Sequence, residues 1–451
     1  MRQNVRRHFQ VALILAIFLF ALQLQAATPD ICILRTSAAS LQGVLDKYNL
    51  QLLGSVDGTH GLYLVQEPAT ADPGTMDAIV KADPAVQNFE ELIPAVIPEN
   101  PATLQAGSMT PSTSSLSTLA SSQAFVSYAG DSVWNSYLNQ PAASIINLSG
   151  AHQYATGKGI VAVIDTGIDP NHPVLKRWIT PGYDFVNNVL GSASEWVDLN
   201  QSTVAFLDQS TVAFLDGSNQ AILNQSTVAF LDQSTVAFLD TNNLPVAFGH
   251  GTMVAGIIHL VAPTAKIMPL KAFRADGTSN SFDIIRAIYY AVDNGADVIN
   301  MSFSMASPSA ELVRAINYAA DHGVICVASA GNAGSDNLSF PAALRNVIGV
   351  ASTAWNDARS TFSNYGSSLV ALAAPGEAII TTFPGNHYAA VWGTSFSAPF
   401  VSGAPALIQQ IYSNTNYNNS MNTLSHAKQL TSDLGFGRLD LYMALNYLLK
   451  D

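Results

Sequence analysis

A chain of 451 residues exceeds one average domain, and an apolar content of 48% is ample for a large buried core. The formal net charge of −13 becomes about −16 if the first segment, with its three arginines and no acid, is removed, and such an acidic balance argues against nucleic-acid partners. Only Cys32 and Cys326 occur, so no disulfide framework is implied, and Cys326 falls in the apolar run GVICVAS as a small buried hydrophobe.

Residues 1–27 begin with Arg2, Arg6 and Arg7, continue through an apolar run from Val11 to Leu24, and close on Ala26 and Ala27. That is the pattern of a secretory signal peptide, which predicts an extracellular product. Left uncleaved, the run would anchor the chain, being near the lower limit for a spanning helix. Residues 28–98 alternate strand-like and helix-like segments: ICILRT, SLQGVLDKYN with Ser40 as cap, LQLLGSVDG, GLYLVQE, TMDAIVKADP and a final strand VQNFEELIPAVI. This βαββαβ order predicts a small ferredoxin-like α+β domain. Residues 99–124, rich in Ser, Thr, Pro and Ala, read as a linker.

From residue 125 onward, short apolar runs alternate with helical segments. GIVAVID, AKIMPLKAF, ADVINMSF, VICVASA, NVIGVAST and LVALAAPG read as strands, with SFDIIRAIYYAVDNG and SAELVRAINYAADHG as helices ending at Gly295 and Gly323. The alternation predicts a three-layer α/β sandwich with a mainly parallel central sheet.

Three motifs in that region carry chemistry. VAVIDTGID sets Asp165 at the end of a strand expected to be buried on both faces. GHGTMVAG sets His250 at the start of a helix, and GTSFSAP sets Ser395 at the start of another. An Asp, a His and a Ser held at such turns form a nucleophilic triad, with Asp165 orienting His250 and His250 accepting the Ser395 proton. A lone DTG is also an aspartic-protease pattern, but no second DTG or DSG occurs. Neither HExxH nor CxxC occurs to suggest zinc, and His172 and His259 are read as structural.

The order Asp, His, Ser differs from the chymotrypsin and α/β-hydrolase orders and agrees with subtilisin. Over about residues 150–445 the sequence resembles the subtilisin-like serine proteases, closing with LGFGRLDLYMAL. The resemblance implies a serine endopeptidase acting on proteins or peptides. It assigns residues 28–98 as an inhibitory pro-domain, a partner of its own enzyme, and 125–451 as the catalytic domain. It gives Asn332 in VASAGNAG as the oxyanion donor, beside Ala330 and Gly331, and Ser302, Phe303 and Ser304 as the strand that pairs with substrate backbone. Ser304 stands where the family usually has glycine. Pro341 fits a cis-proline position, and Phe400 replaces a usual histidine. Pro405, well inside the Ser395 helix, predicts a kink. Val174 replaces an aspartate that often ligates calcium, and the calcium loop near Ala262 is missing, which leaves room for at most a weak calcium site. No cofactor is required, and a monomer is expected.

Between Asp165 and His250 lies an insertion, residues 201–240, with QSTVAFLD at Gln201, Gln209, Gln225 and Gln233 and a degenerate octad from Gly217 to Asn224. An even period keeps one strand face, and Asp216–Gly217 is a hairpin signal, so a short antiparallel meander is expected. The insertion reads equally as a tolerated expansion. The alternatives to a secreted, self-processing protease are an adhesion or scaffold protein using the repeat, and a membrane-anchored processing protease.

Overall fold

The computed structural model describes residues 30–56, 59–97, 125–191, 193–199, 223–224, 228–230, 245–413 and 415–450. The signal-peptide segment, the linker and most of the octads, including Asp216–Gly217, lie outside them. The chain divides into two compact units, Met1–Leu92 and Ile93–Asp451.

The first unit has the expected order. Strands Ile31–Thr36, Gln51–Ser55, Leu62–Gln66 and Val86–Glu91 alternate with helices Ala38–Tyr48 and Pro73–Lys81. The antiparallel sheet runs, in space, Gln51–Ser55, Leu62–Gln66, Ile31–Thr36, Val86–Glu91. Leu34, Val44, Val65, Val80 and Phe89 form its core. Two details differ from expectation. The first helix is capped by Ser37, whose side chain accepts the Ser40 N–H, because the helix starts three residues earlier than the apolar spacing alone suggests. The segment VQNFEELIPAVI is two strands, Val86–Glu91 in this unit and Pro94–Val96 in the second, since the Ile93 backbone turns to Ser281 instead of continuing the first sheet.

In the second unit, eight strands form one sheet. The spatial order is Val189–Leu190, Tyr183–Asp184, Lys266–Lys271, Ile160–Asp165, Val298–Met301, Ile325–Ser329, Val347–Thr353, Leu372–Pro375. All neighbours are parallel except the first pair. Helices cover both faces, which explains why the strands read as unbroken Val, Ile and Ala runs. Val161, Ala162, Val163 and Ile164 are all at most 1% exposed, and each buried Val or Ile contributes about 1.5–3 kcal/mol. Helices Ser281–Asp293 and Ala310–Asp321 end as expected, with Gly295 and Gly323 both at φ 78°. Cys326 is fully buried, and that burial pushes its thiol up to about 12.

The Thr394–Ile411 helix runs through both Pro399 and Pro405 as one helical segment. The Phe340–Pro341 peptide is cis. Within the octads, Leu223–Asn224 and Val228–Phe230 pair antiparallel as expected of a meander. The second of these also pairs with His387–Val391, in the hairpin Ile379–Phe383/His387–Val391, so the repeat does not pair only with itself.

Candidate active site

The strand Ile160–Asp165 lies between Lys266–Lys271 and Val298–Met301, so its carboxyl end opens at the centre of the sheet. Asp165 occupies that end and is 1% exposed. Its backbone carbonyl accepts the N–H groups of Ala272 and Phe273 at 3.0 and 3.1 Å. Thr166 N–H donates to Asp165 Oδ1 at 2.7 Å, so the carboxylate is fixed before any imidazole is considered.

His250 begins the helix His250–Val261 after Gly249 at φ 89°. A side chain at Gly251 would collide with the carbonyl oxygen of Gly167, so glycine there lets the helix start close over the Asp165 loop. The result is a contact between residues 85 apart: His250 Nδ1 is 2.8 Å from Asp165 Oδ1 and 3.0 Å from Oδ2. The imidazole packs on the Phe396 ring at 5.3 Å between centroids.

Ser395 is the second residue of the Thr394–Ile411 helix, where backbone N–H groups and the helix dipole favour negative charge. Its Oγ donates to Ser302 O at 3.2 Å, and Ser302 Oγ donates back to Ser395 O at 2.8 Å. Behind this pair, Asn300 donates to Ser302 Oγ at 3.0 Å and accepts Ser402 Oγ at 2.8 Å. The carbonyl oxygen of the Asn332 side chain takes both Thr394 N–H at 3.0 Å and Thr394 Oγ1 at 2.8 Å, which fixes the amide with its NH2 end as donor. Thr394 Oγ1 also receives Gly331 N–H at 3.1 Å.

Ser302, Phe303, Ala330 and Gly331 are buried, and Ser304 is partly exposed. The Phe303 ring packs on Phe273 at 5.0 Å, so only its backbone is available at the edge. That edge accepts extended chain: Val96 and Ser304 exchange hydrogen bonds at 3.0 and 2.8 Å. On its other side Pro94–Val96 pairs antiparallel with Thr278–Asn280.

Several residues at this site carry no motif. Glu195 is fully buried between the Asp165 and His250 motifs. Its Oε2 accepts Gly249 N–H at 2.9 Å and lies 3.3 Å from the Thr166 hydroxyl, while Thr252 Oγ1 donates to Oε1. Burial first, then Asp169 and Asp165, push its carboxyl up to about 8. Lys271, fully buried on the neighbouring strand, donates to Thr166 O at 2.8 Å, Phe273 O at 2.8 Å and Asp198 Oδ2 at 2.6 Å. Asn364 accepts Ala333 and Ser335 N–H and donates to Ala330 O, which staples the loop that presents Asn332. Neither a motif nor a spacing in the sequence singles out Glu195, Lys271 or Asn364.

His172 and His259 stand apart as buried neutral imidazoles. Burial holds them down to about 4 and about 3.

Residues 157–439 match the model of the subtilase family, Peptidase_S8. The chain is 38% identical to subtilisin BL of Lederbergia lenta over 196 residues, 42% of this chain and 71% of that enzyme. To thermitase of Thermoactinomyces vulgaris it is 32% identical over 310 residues, 66% of this chain and 92% of that enzyme. It spans 50% of the alkaline protease of Shouchella clausii, at 38% identity. In fold it is similar to fervidolysin of Fervidobacterium pennivorans, a keratinolytic enzyme related to subtilisin. That likeness has a TM-score of 0.65 and 21% identity, over 93% of this chain and 61% of that one. With the family model spanning most of the chain and thermitase matched over 92% of its own length, this protein belongs to the subtilase family and is a serine endopeptidase.

Proposed function

We propose that Asp165, His250 and Ser395 form the catalytic triad of an exported, self-processing endopeptidase, with Asn332 and the Ser395 N–H as oxyanion donors. The observation that carries this reading is the buried Asp165–His250 pair at 2.8 Å, at the edge of the sheet that also receives the Ser395 helix. His250 Nε2 accepts the Ser395 proton as Oγ bonds to the scissile carbonyl carbon, while Asp165 holds the tautomer and the imidazolium. The carbonyl oxygen takes the electron pair and is held by Ser395 N–H and Asn332 Nδ2. As the tetrahedral centre collapses, His250 returns its proton to the leaving amine, and water then releases the acyl group by the same steps in reverse.

Protein and peptide substrates add as a strand along Ser302–Ser304 and the loop of Ala330 and Gly331. The same reading makes residues 28–98 an inhibitory pro-domain: the strand Pro94–Val96 pairs with Ser304 as a substrate backbone would. The family works without an organic cofactor. Val174 has an apolar side chain, so it offers no carboxylate for a tight calcium site. Export rests on the first 27 residues of the sequence; among the described residues no helix is long and apolar enough to cross a membrane. The enzyme acts as a monomer.

The experiment is N-terminal sequencing of the product secreted by the unaltered chain and by Ser395→Ala. The expected result is a product beginning after the pro-domain for the first and an unprocessed precursor for the second. Normal processing of Ser395→Ala would remove self-maturation from the account.

A further inference from the structure

The first unit gathers three metal-ligating residues at one point, two of them buried. Cys32 lies on the strand Ile31–Thr36, Glu67 follows the strand Leu62–Gln66, and Asp77 lies on the helix Pro73–Lys81. One ligand atom from each, the Cys32 sulfur and a carboxylate oxygen of Glu67 and of Asp77, lies within 4.8 Å of the other two. Their sequence separations match no metal-binding motif, so only folding reveals the group.

The Glu67 carboxylate makes the group more than a set of nearby acids. It is 3% exposed, and neither of its oxygens meets a hydrogen-bond donor among the described residues. Cys32 is fully buried and free, and Asp77 meets Lys81 at 3.3 Å through Oδ2. A buried carboxylate without a donor or a cation is costly. A cation at this point would satisfy both oxygens at once.

We propose that Cys32, Glu67 and Asp77 bind a divalent cation of the zinc class, an ion that joins the strand pair to the helix of the first unit. A thiolate beside two carboxylates selects a borderline metal over calcium or magnesium, which prefer all-oxygen shells. Ligand atoms around tetrahedral zinc stand about 3.5 Å apart, so the group closes by small side-chain rotations, most easily at partly exposed Asp77. Binding releases the Cys32 proton to solvent and leaves the remaining coordination position to water.

The test uses the full-length chain carrying Ser395→Ala, so that the first unit stays attached however the enzyme matures. The protein is reduced, stripped of metal and titrated with Co2+. The expected result is a thiolate-to-metal charge-transfer band in the near ultraviolet that saturates at one equivalent and is displaced by Zn2+. Cys326→Ala should keep the band, Cys32→Ser should lose it, and Glu67→Gln should weaken Co2+ affinity at least about tenfold. Asp77→Asn, at a partly exposed helix position, should weaken it likewise and covers the case in which a buried variant fails to fold. Absence of the band in the parent chain, or its survival unchanged in Cys32→Ser, would overturn the proposal, as would unchanged affinity in Asp77→Asn.

Discussion

Val96 and Ser304 exchange a pair of backbone hydrogen bonds, Val96 N–H to Ser304 O at 3.0 Å and Ser304 N–H to Val96 O at 2.8 Å. A segment from before the catalytic region thus sits on the strand edge next to the Ser395 helix. Because the pairing uses main chain, it places no demand on the side chains of the paired segment.

Inhibition by the protein's own N-terminal segment follows. The fragment from residue 28 to 100 added in trans should inhibit the processed enzyme. Val96→Pro, which removes the donor to Ser304 O and leaves that oxygen unpaired, should weaken inhibition about tenfold. Steady-state inhibition constants for the two fragments measure the difference; equal constants would detach the Val96–Ser304 pairing from inhibition.

Removing the oxyanion donor should act on rate. Asn332→Ala is expected to lower kcat by about 10²–10³ with little change in KM, a magnitude taken from subtilisin itself. Thr394→Val removes one of the two donors that hold the Asn332 carbonyl oxygen and should lower kcat by a smaller factor. Peptide-amide hydrolysis separates kcat from KM; a change confined to KM would make Asn332 a substrate-binding residue.

Stability should have two pH limbs with different owners. The native state holds a proton on Glu195 up to about pH 8, whereas the ordinary value is 4.5, so its stabilising contribution is full below 4.5 and is lost as pH rises through 8. His259 and His172 are held down to about 3 and about 4 from 6.5, so theirs is present above 6.5 and lost as pH falls through those values. Denaturant midpoints of Ser395→Ala from pH 4 to 9 should fall at both ends. Adding Glu195→Gln should flatten the alkaline limb by a few kcal/mol, and His259→Leu should soften the acid one. Parallel curves with and without Glu195→Gln would remove that carboxyl from the alkaline limb.

Deleting Gln201–Asp240 removes the strand Val228–Phe230 and leaves His387–Val391 as an edge. Hydrolysis of a short peptide ester should persist. Cleavage of folded proteins or self-association should change, because an unpaired strand edge invites pairing with another chain. Unchanged rates on both substrates, with an unchanged sedimentation profile, would leave the octads as a tolerated expansion.

The parallel sheet was legible because strands buried on both faces must be built from residues such as Val, Ile and Ala, and Val161–Ile164 shows the pattern. Asp165, His250 and Ser395 stood out as candidates because glycines and small residues mark the turns that hold them, and Asn332 stood out through the family resemblance. Glu195, Lys271, Thr394 and Asn364 were not: each acts through loops brought together only by folding, and Lys271 reads in sequence as a charge near the end of a strand. The hairpin Ile379–Phe383/His387–Val391 was also missed, since its strands are buried on both sides and lack the alternation of a half-exposed pair. Val86–Val96 read as one strand because hydropathy does not show that backbone partners change at Ile93.

The central claim is that Ser395 is the nucleophile and His250 its base. Reaction of the processed enzyme with a serine-directed organophosphonate, followed by mass mapping, tests it most directly. The account predicts one adduct, on Ser395, forming in step with loss of peptidase activity and largely suppressed in His250→Ala. An adduct on another residue, or full activity retained by an enzyme labelled at Ser395, would contradict it.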